Sequence, residues 1–322
     1  MKKFLVLCMI LTLLCGCLTG CKTGDEKKDH LVIVTTIFPF YDWVRNVVGE
    51  NPGNIEVKLL LESGVDLHSY QPTAEDVMTI GESDLFLYVG GESDKWVKDA
   101  LRSTGKKDIT AVALMDVLGD ALKEEEVVEG MQGEEEDEEE EDEIEYDEHI
   151  WLSLRNAKAL TNEITERICT LDSEHETTYR ENGKAYADKL QALDEEYVKA
   201  VSEAGGKTLL FGDRFPFRYM TEDYGLTYYA AFLGCSAESE ASFETIAFLA
   251  QKVEDLSLPA VIVLDGSNHK IAETVIQNTN GTKPEMIVMN SLQSVSKKDI
   301  QDGTDYFSVM KDNLEALKKA LK

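Results

Sequence analysis

Apolar runs and amphipathic segments alternate along most of this 322-residue chain, starting after residue 30. Runs of β-branched residues bounded by glycine and proline indicate strands, and apolar positions three or four residues apart indicate helices. Strands that alternate with helices at this spacing are typical of a parallel sheet flanked by helices. The elements predicted for the first third are, in chain order, strand 31–37, helix 40–48, strand 55–61, helix 73–81, strand 84–89, helix 94–102 and strand 109–114.

The second half returns to the same alternation after two consecutive helices. Ser153 is a suitable cap for the first of these helices, and Thr304 for the terminal helix of the chain. The elements predicted here are helix 156–170, helix 174–204, strand 208–211, helix 216–222, strand 226–231, helix 243–256, strand 260–264, helix 270–279, strand 286–289 and helix 305–321.

The helix at 174–204 is the longest predicted element, and at about 1.5 Å per residue it would run about 45 Å. One apolar stripe follows it, formed by Tyr179, Tyr186, Leu190, Leu193, Tyr197 and Val201. A helix of that length between two strand–helix series indicates a rod that connects them. We therefore predict an α/β fold of two lobes, each a mostly parallel sheet flanked by helices, joined by one long rigid helix.

The first 20 residues predict a lipoprotein signal peptide. Lys2 and Lys3 precede an apolar segment at 4–14 that is too short to span a bilayer as a stable helix. Residues 18–21 (Leu-Thr-Gly-Cys) then match the box at which bacterial lipoproteins are cleaved and lipidated. We predict a lipid on Cys21 and an extracytoplasmic location on the cell membrane. A weaker box at 14–17 and an ordinary signal peptide are the alternatives.

Acidic residues are concentrated in one segment, although the whole chain carries a net charge of −30. Residues 124–148 contain 17 acidic side chains and no basic one, and residues 134–143 are acidic without a break. Such a run cannot pack on a core, so we predict a disordered insertion. Its position just before His149 suggests a carboxylate brush that concentrates divalent cations near that residue. The charge argues against nucleic acid as a partner.

The predicted organisation follows from these boundaries. It comprises signal peptide 1–20, tether 21–30, N-terminal lobe 31–172 with the insertion 124–148, linking helix 173–204 and C-terminal lobe 205–322. Processing at Cys21 would leave Cys169 and Cys235 as the remaining thiols. Export permits a disulfide between them, and their spacing leaves that question open. Cys169, in an amphipathic helix, fits a small core residue.

Two histidines occupy similar loop settings far apart in the chain. His68 lies in segment 64–72 (Gly-Val-Asp-Leu-His-Ser-Tyr-Gln-Pro), after a strand and before a helix, where open α/β sheets place ligands. His149 lies in segment 147–151 (Asp-Glu-His-Ile-Trp). Neutral imidazole is a good ligand for zinc and other first-row divalent ions. We predict that the fold brings both rings to one metal ion. The other histidines fit surface or hydrogen-bonded positions: His30, His175 and His269.

These motifs give the chain a resemblance to a known family along essentially its whole length. It resembles the metal-binding solute-receptor lipoproteins of bacterial zinc and manganese ABC importers, which are also called metal-binding adhesins. The resemblance implies two α/β lobes with metal in the cleft between them, and delivery of that metal to a membrane permease. The segments that carry it are the lipidation box, 35–39 (Thr-Thr-Ile-Phe-Pro), 64–72, 147–151, the long helix and 234–240 (Gly-Cys-Ser-Ala-Glu-Ser-Glu).

The second lobe departs from the family pattern. Family members place a His or Glu just after the strand predicted to end at residue 211, where this chain has Gly212 and then Asp213. The family's Asp after the last strand corresponds to Asn290. Asp213 is the first candidate for a further metal ligand and Glu240 the second, while Asn290 could offer a carbonyl oxygen. An ion pair of Asp213 with Arg214 or Arg218, and a capping role for Glu240, are the alternatives.

The predicted cargo is Zn²⁺, with Mn²⁺ as the alternative. A carboxylate in place of a third histidine favours manganese, whereas the general affinity order of N/O sites favours zinc. We expect a monomeric receptor rather than an enzyme, because a metallohydrolase needs a placed general base and no His-Glu-x-x-His motif is present. A surface adhesion lipoprotein is a further alternative that the family resemblance suggests.

Overall fold

Two parallel sheets, each of four strands, form the framework of the computed structural model, which describes residues 30–50, 52–133, 145–236 and 240–322. The first sheet has the order β2-β1-β3-β4. Its elements and the helices between them are β1 (Leu31–Thr35), α1 (Phe38–Val48), β2 (Ile55–Leu59), α2 (Ala74–Glu82), β3 (Leu85–Tyr88), α3 (Val97–Thr104), β4 (Thr110–Ala113) and α4 (Leu114–Leu118).

The second sheet repeats this order with its own strands, as β6-β5-β7-β8. All strand pairs in both sheets are parallel. The elements of the remaining chain are α5 (Leu154–Leu171), α6 (Glu176–Glu203), β5 (Thr208–Phe215), α7 (Arg218–Tyr224), β6 (Thr227–Leu233), α8 (Phe243–Asp255), β7 (Ala260–Leu264), α9 (Lys270–Gln277), β8 (Glu285–Met289), α10 (Lys297–Gln301) and α11 (Tyr306–Ala320).

The shared strand order creates a switch point in each sheet. The chain moves from its first strand to one side and then returns to add its third strand on the other side. Open α/β sheets bind ligands at such points, outside the carboxyl ends of the strands. We therefore expect a ligand near the switch points, which lie between β1 and β3 in one lobe and between β5 and β7 in the other.

The long helix was predicted correctly, and it packs against both lobes. Helix α6 has 28 residues and follows a 3-10 turn at Ser173–His175. It contacts α1 and α5 in the first half of the chain and α7 and α11 in the second. All six residues of the predicted apolar stripe are buried, from Tyr179 to Val201. The predicted α/β fold of two lobes joined by a rigid helix is confirmed.

Local sequence signals explain most element boundaries and a few departures from prediction. Ser153 caps α5 through its hydroxyl group, as predicted. Asp305 caps α11, so the predicted cap at Thr304 is wrong. Pro39 lies in the first turn of α1 rather than ending the preceding segment, because the first turn tolerates a residue without an N–H group. Strand β5 continues to Phe215, past an irregular pairing after Phe211.

One large apolar cluster joins the two halves of the protein. It includes buried side chains from β1 and β3, from β5 and β7, and from α6. A smaller cluster lies beneath α8 and α9. Residues 31–322 pack as one compact unit. Among the described residues, no helix has both the length and the apolar character needed to cross a membrane.

Two sequence predictions fall on parts of the chain that the structure does not describe. The signal peptide, the lipidation at Cys21 and most of the tether lie within residues 1–29. The ends of the predicted disordered insertion, 124–133 and 145–148, are described, and disorder is wrong there because Met131, Asp147 and Glu148 are buried. The unbroken acidic run lies within residues 134–144. These predictions, and the domain boundaries drawn from them, stay predictions.

Candidate metal centre

His68 is held by a short turn at the carboxyl end of the first sheet. The carboxylate of Asp66 accepts the backbone N–H of His68 at 3.0 Å and starts a 3-10 turn at Leu67–Ser69. Leu67 is buried and anchors this turn in the core. The ring Nδ1 of His68 lies 2.8 Å from the hydroxyl oxygen of Ser93, in the loop after β3. This contact fixes the ring so that Nε2 points away from Ser93.

His149 is completely buried, and its neighbour Asp147 fixes its orientation. One carboxylate oxygen of Asp147 lies 2.8 Å from the backbone nitrogen of His149 and 3.0 Å from its Nδ1. Tyr219 donates its hydroxyl hydrogen to the carbonyl oxygen of Asp147 at 2.8 Å. Trp151 donates its indole N–H to the carbonyl oxygen of Ser291 at 2.8 Å. Because Tyr219 and Ser291 belong to the second lobe, that lobe holds the His149 segment in place.

The two predicted imidazoles meet in this structure. Nε2 of His68 lies 3.1 Å from Nε2 of His149. A carboxylate or hydroxyl group contacts each Nδ1, which leaves both Nε2 atoms facing the same point. Carboxylate and hydroxyl partners of this kind orient metal-binding histidines in known sites. The predicted convergence of His68 and His149 is confirmed as geometry, and their role as ligands stays a prediction.

Cys235 joins the two histidines from the second lobe. It follows β6, and its Sγ, one ring nitrogen of His68 and one ring nitrogen of His149 all lie within 4.8 Å of one another. No other group of three His, Cys, Asp or Glu side chains in the described ranges comes this close together. Both Cys169 and Cys235 are free thiols, and Cys169 is buried as predicted.

The protonation of the two rings is coupled because they are so close. Burial, together with the charge of His149, lowers the pKa of His68 to about 3. Burial also lowers the pKa of His149, but Asp147 and Glu148 outweigh it and raise that pKa above its usual value. We infer that His149 is the charged partner and donates a hydrogen bond to neutral His68. A cation at this point would have to displace that proton.

Gln293 closes one side of the centre. Its side-chain Nε2 lies 3.1 Å from Nε2 of His149 and 3.3 Å from a carboxylate oxygen of Asp66. Its Oε1 is buried without a hydrogen-bond partner, as is one carboxylate oxygen of Glu148. Rotation of the amide would exchange its oxygen and nitrogen. Two nitrogen donors, a thiol and unpartnered buried oxygens make up a donor set that fits a transition-metal cation.

The structure does not bring Asp213 into this cluster. One of its carboxylate oxygens accepts the backbone N–H of Arg214 at 2.9 Å, and the other accepts that of Leu264 at 3.2 Å. The predicted ion pair of Asp213 with Arg214 or Arg218 is wrong, because the carboxylate of Asp66 pairs with Arg214 at 2.7 Å. The oxygens of Asp213 thus fix the end of β5 to β7.

Glu240 and Asn290 also lie outside the cluster. Glu240 is exposed and follows the undescribed residues 237–239, while Ser242 itself caps α8. The side-chain oxygen of Asn290 accepts the backbone N–H of Leu292 at 2.7 Å. The alternative capping role of Glu240 is therefore wrong, and Asn290 uses its oxygen within its own loop.

The remaining described histidines have ordinary partners. Nδ1 of His175 lies 2.7 Å from a carboxylate oxygen of Asp172. Nε2 of His269 lies 3.2 Å from the carbonyl oxygen of Leu264. Neither belongs to a group of potential metal ligands. The expectation that they occupy surface or hydrogen-bonded positions is confirmed.

Arg214 and Asp66 form a bridge between the lobes beside the centre. Arg214 lies at the end of β5, and Asp66 belongs to the His68 turn. A cavity of about 300 Å³ lies against this bridge, lined on the second lobe by Ser236 and His269 among others. The bridge places the positive charge of Arg214 next to the carboxylate that anchors His68, so the negative charge of Asp66 is balanced by the second lobe.

The sequence prediction missed Cys235 and Gln293. Both follow strands at the carboxyl edge of the second sheet, after β6 and β8 respectively. The sequence signal for both residues is their position shortly after a predicted strand. Within segment 234–240, the prediction used Glu240 and passed over Cys235. Cysteine is a zinc ligand as common as histidine, so its place in that segment would have justified including it.

Comparison with known proteins identifies the family of this chain. A sequence profile described as "Zinc-uptake complex component A periplasmic" (ZnuA) matches residues 33–320. The high-affinity zinc uptake system protein ZnuA of Bacillus subtilis is 31% identical over 317 residues, which cover 98% of this chain and 95% of that protein. The zinc-binding lipoprotein AdcA of Streptococcus pneumoniae is 31% identical over 323 residues.

The match to AdcA covers 99% of this chain and 61% of AdcA, so the chain spans about three fifths of that relative. Among solved structures, the Zn(II)-bound ZnuA-like domain of S. pneumoniae AdcA has a TM-score of 0.70 and 29% identity. That similarity covers 91% of this chain and 99% of the domain. The profile match over nearly the whole described chain, together with these relatives, shows that the chain belongs to the periplasmic zinc-uptake component A (ZnuA) family.

Proposed function

We propose that this protein is an extracytoplasmic receptor that captures zinc between its two lobes and delivers it to the membrane permease of an ABC importer. The observation that carries the proposal is the pair of buried imidazoles whose Nε2 atoms face each other at 3.1 Å. The names of the relatives, a zinc-binding lipoprotein and a high-affinity zinc uptake protein, support zinc as the cargo.

The pair of rings is oriented to receive a cation. Asp147 holds Nδ1 of His149, and Ser93 holds Nδ1 of His68, so both Nε2 lone pairs can face one ion. Because His149 is fully buried and the side chain of His68 is only 8% exposed, a cation there would have protein around most of it. Asp147 and Glu148, both buried beside the rings, supply negative charge that offsets the charge of the cation.

The second lobe takes part in holding this ion because it fixes the His149 segment through Tyr219 and Ser291. A cation shared by both rings therefore links groups that depend on both lobes. We expect bound zinc to stabilise the closed arrangement of the lobes by mass action. Delivery to the permease would require these contacts to loosen.

We further propose that the receptor is monomeric, carries a lipid on Cys21 and has no catalytic role. The signal peptide and lipidation box in residues 1–21 support the anchor. Several acyl chains are needed for stable anchoring, and bacterial lipoproteins carry more than one. The transport role in the name of the Bacillus subtilis relative supports a receptor rather than an enzyme.

The test is zinc binding by the purified chain and by His68→Ala and His149→Ala. Even outer partners of zinc ligands are worth about 10–100-fold in affinity, so we expect each variant to lose more than about 100-fold. His269→Ala is the matched control, because that ring only contacts a backbone carbonyl, and its affinity should equal that of the unmodified chain. Competition against a chromophoric chelator measures all four proteins.

Two outcomes would contradict the proposal. One is an unmodified chain that takes up no zinc after treatment with chelator and reloading. The other is full zinc affinity in both histidine variants. Far-UV circular dichroism of each variant separates loss of ligands from loss of fold.

A further inference from the structure

We propose that the thiolate of Cys235 is the third zinc ligand and that it determines the preference of this site for zinc over manganese. The inference rests on the proposed function, since it concerns the same centre. It replaces Asp213 and Glu240, the carboxylates predicted from the sequence, with a sulfur ligand.

The distances are close to those of a ligand set. With bonds of about 2.0–2.1 Å to nitrogen and about 2.3 Å to sulfur, tetrahedral geometry puts the two nitrogens about 3.3 Å apart and the sulfur about 3.6 Å from each. The imidazole Nε2 atoms lie 3.1 Å apart, and Sγ of Cys235 lies within 4.8 Å of one ring nitrogen of each histidine. An approach of about 1 Å by the thiol, within reach of a side-chain adjustment, completes the set.

The loop that carries Cys235 is shaped for close approach to His149. A Cβ atom at Gly234 would lie 2.8 Å from Cε1 of His149 and 2.8 Å from the carbonyl oxygen of Phe215. Real side chains essentially never make such contacts, so only glycine allows the backbone to pass against the ring. The next residue, Cys235, therefore lies at the edge of the histidine pair.

A second group supports the thiol from the other side. The carboxyl group of Glu125 lies beside the thiol of Cys235. Such an outer partner orients a ligand and accepts its hydrogen. When zinc binds, the S–H bond breaks, the sulfur lone pair bonds to the metal and the proton leaves to a base or to water. No oxidant or reductant is required.

The ligand chemistry then selects the metal. Thiolate is a soft ligand that zinc binds well, whereas manganese prefers oxygen. Three of the carboxylates around the centre already have other partners: Asp147 contacts His149, Asp66 pairs with Arg214, and Asp213 accepts backbone N–H groups. One oxygen of Glu148 has no hydrogen-bond partner and lies 3.7 Å from Nδ1 of His68, on the side of the ring away from Nε2. Two nitrogens and a sulfur therefore dominate the set, which disfavours manganese.

The first test compares Cys235→Ser with the matched control Cys169→Ser. Cys169 is buried in α5, where its thiol contacts the carbonyl oxygen of Glu176 at 3.7 Å, so removing it leaves the centre intact. Cobalt(II) serves as the spectroscopic probe for zinc. We expect a near-ultraviolet sulfur-to-cobalt charge-transfer band in the unmodified chain and in Cys169→Ser. The band should be absent in Cys235→Ser.

The second readout is metal preference, measured by competition between zinc and manganese. We expect Cys235→Ser to lose about 10-fold or more in zinc affinity while manganese affinity changes less than about 3-fold. The ratio of the two affinities should fall accordingly. Circular dichroism and denaturant unfolding of the metal-free variants check that each one folds.

Thiol alkylation provides an independent measurement on the unmodified full chain. N-ethylmaleimide labelling is quantified by mass spectrometry of the peptide that contains Cys235, with and without one equivalent of zinc. We expect zinc to slow labelling of Cys235 by more than about 10-fold and to leave the labelling of Cys169 unchanged.

The failure of this inference is distinct from the failure of the proposed function. A charge-transfer band that persists in Cys235→Ser, or unprotected Cys235 in a protein that binds zinc tightly through His68, would overturn the thiolate alone. Absence of tight zinc binding in the unmodified chain would overturn both.

Discussion

His68 and His149 carry the same side chain, but their surroundings favour the neutral form of His68 and the protonated form of His149. Asp147 stabilises the protonated form of His149 at 3.0 Å, whereas His68 faces a hydroxyl group and the charged ring of its partner. Each Nδ1 is thereby committed to an outer partner, and the two Nε2 atoms share a proton where a metal would bind. In the proposed function, zinc replaces this shared proton.

Proton release follows from this arrangement. The pKa of His149 is raised by its carboxylate neighbours against the effect of burial, and burial together with Asp147 raises the pKa of the Cys235 thiol. Near pH 7 zinc must therefore displace about two protons, one from the imidazole pair and one from the thiol. Zinc affinity should therefore fall as the pH is lowered through neutrality, because protons compete with the metal for these atoms.

Calorimetric zinc titrations in buffers of different ionisation enthalpy measure these protons directly. The Cys235→Ser variant should release about one proton, because only the imidazole pair remains. Equal release in both proteins would contradict the assignment of the second proton to the thiol.

The sequence predicted that the two histidines meet, but it chose Asp213 and Glu240 where the structure has Cys235. The reason is physical. Each histidine stands in a loop two residues after an aspartate, a local pattern that is visible in the chain itself. Asp213 was predicted to lie on a loop because the apolar run stops at Phe211. Pairing with β6 resumes at Arg214 and carries the strand to Phe215, so tertiary contacts hold Asp213 at the end of the strand.

At the scale of elements, a buried carboxylate connects three helices at the base of the lobes. Asp42 of α1 accepts a hydrogen bond from the hydroxyl group of Tyr186 in α6 at 3.2 Å. The same oxygen accepts the backbone N–H of Tyr306 at the start of α11 at 3.3 Å. Periodicity predicted each helix, but it carries no information about which residues meet between helices. This junction was therefore not predicted.

The junction makes stability depend on pH. Burial, with a further contribution from Asp305, raises the pKa of Asp42 to about 6 from the usual 3.8. The folded state therefore binds a proton more tightly than the unfolded state. Its contribution to stability is present below about pH 4 and is lost as pH rises through about 6. We expect this loss to be about 2 kcal/mol, since partial exposure screens the charge.

Denaturant unfolding of the metal-free chain and of Asp42→Asn from pH 4 to pH 7 measures this effect. The unfolding free energy of the unmodified chain should fall relative to that of the variant across this range. Glu181→Gln, an exposed change on the same helix α6, is the matched control and should give a curve parallel to the unmodified chain. A parallel curve for Asp42→Asn would contradict the raised pKa.

At the scale of the whole molecule, two sheets with the same strand order present their carboxyl ends to one centre. His68 follows β2, Cys235 follows β6 and Gln293 follows β8. Bonds across the lobes hold these loops together, including Arg214 to Asp66 and Lys297 to Glu62 at 3.0 Å. Alternating strands and helices were sufficient to predict two lobes. The arrangement of one lobe against the other depends on such long-range contacts, which local patterns do not encode.

Anomalous diffraction at the zinc absorption edge from crystals of the zinc-loaded protein tests the central claim most directly. We predict one strong peak about 2.0–2.1 Å from Nε2 of His68 and from Nε2 of His149, with Sγ of Cys235 about 2.3 Å away. A zinc peak at any other position, with the two imidazoles still in contact with each other, would contradict the claim that they share one cation.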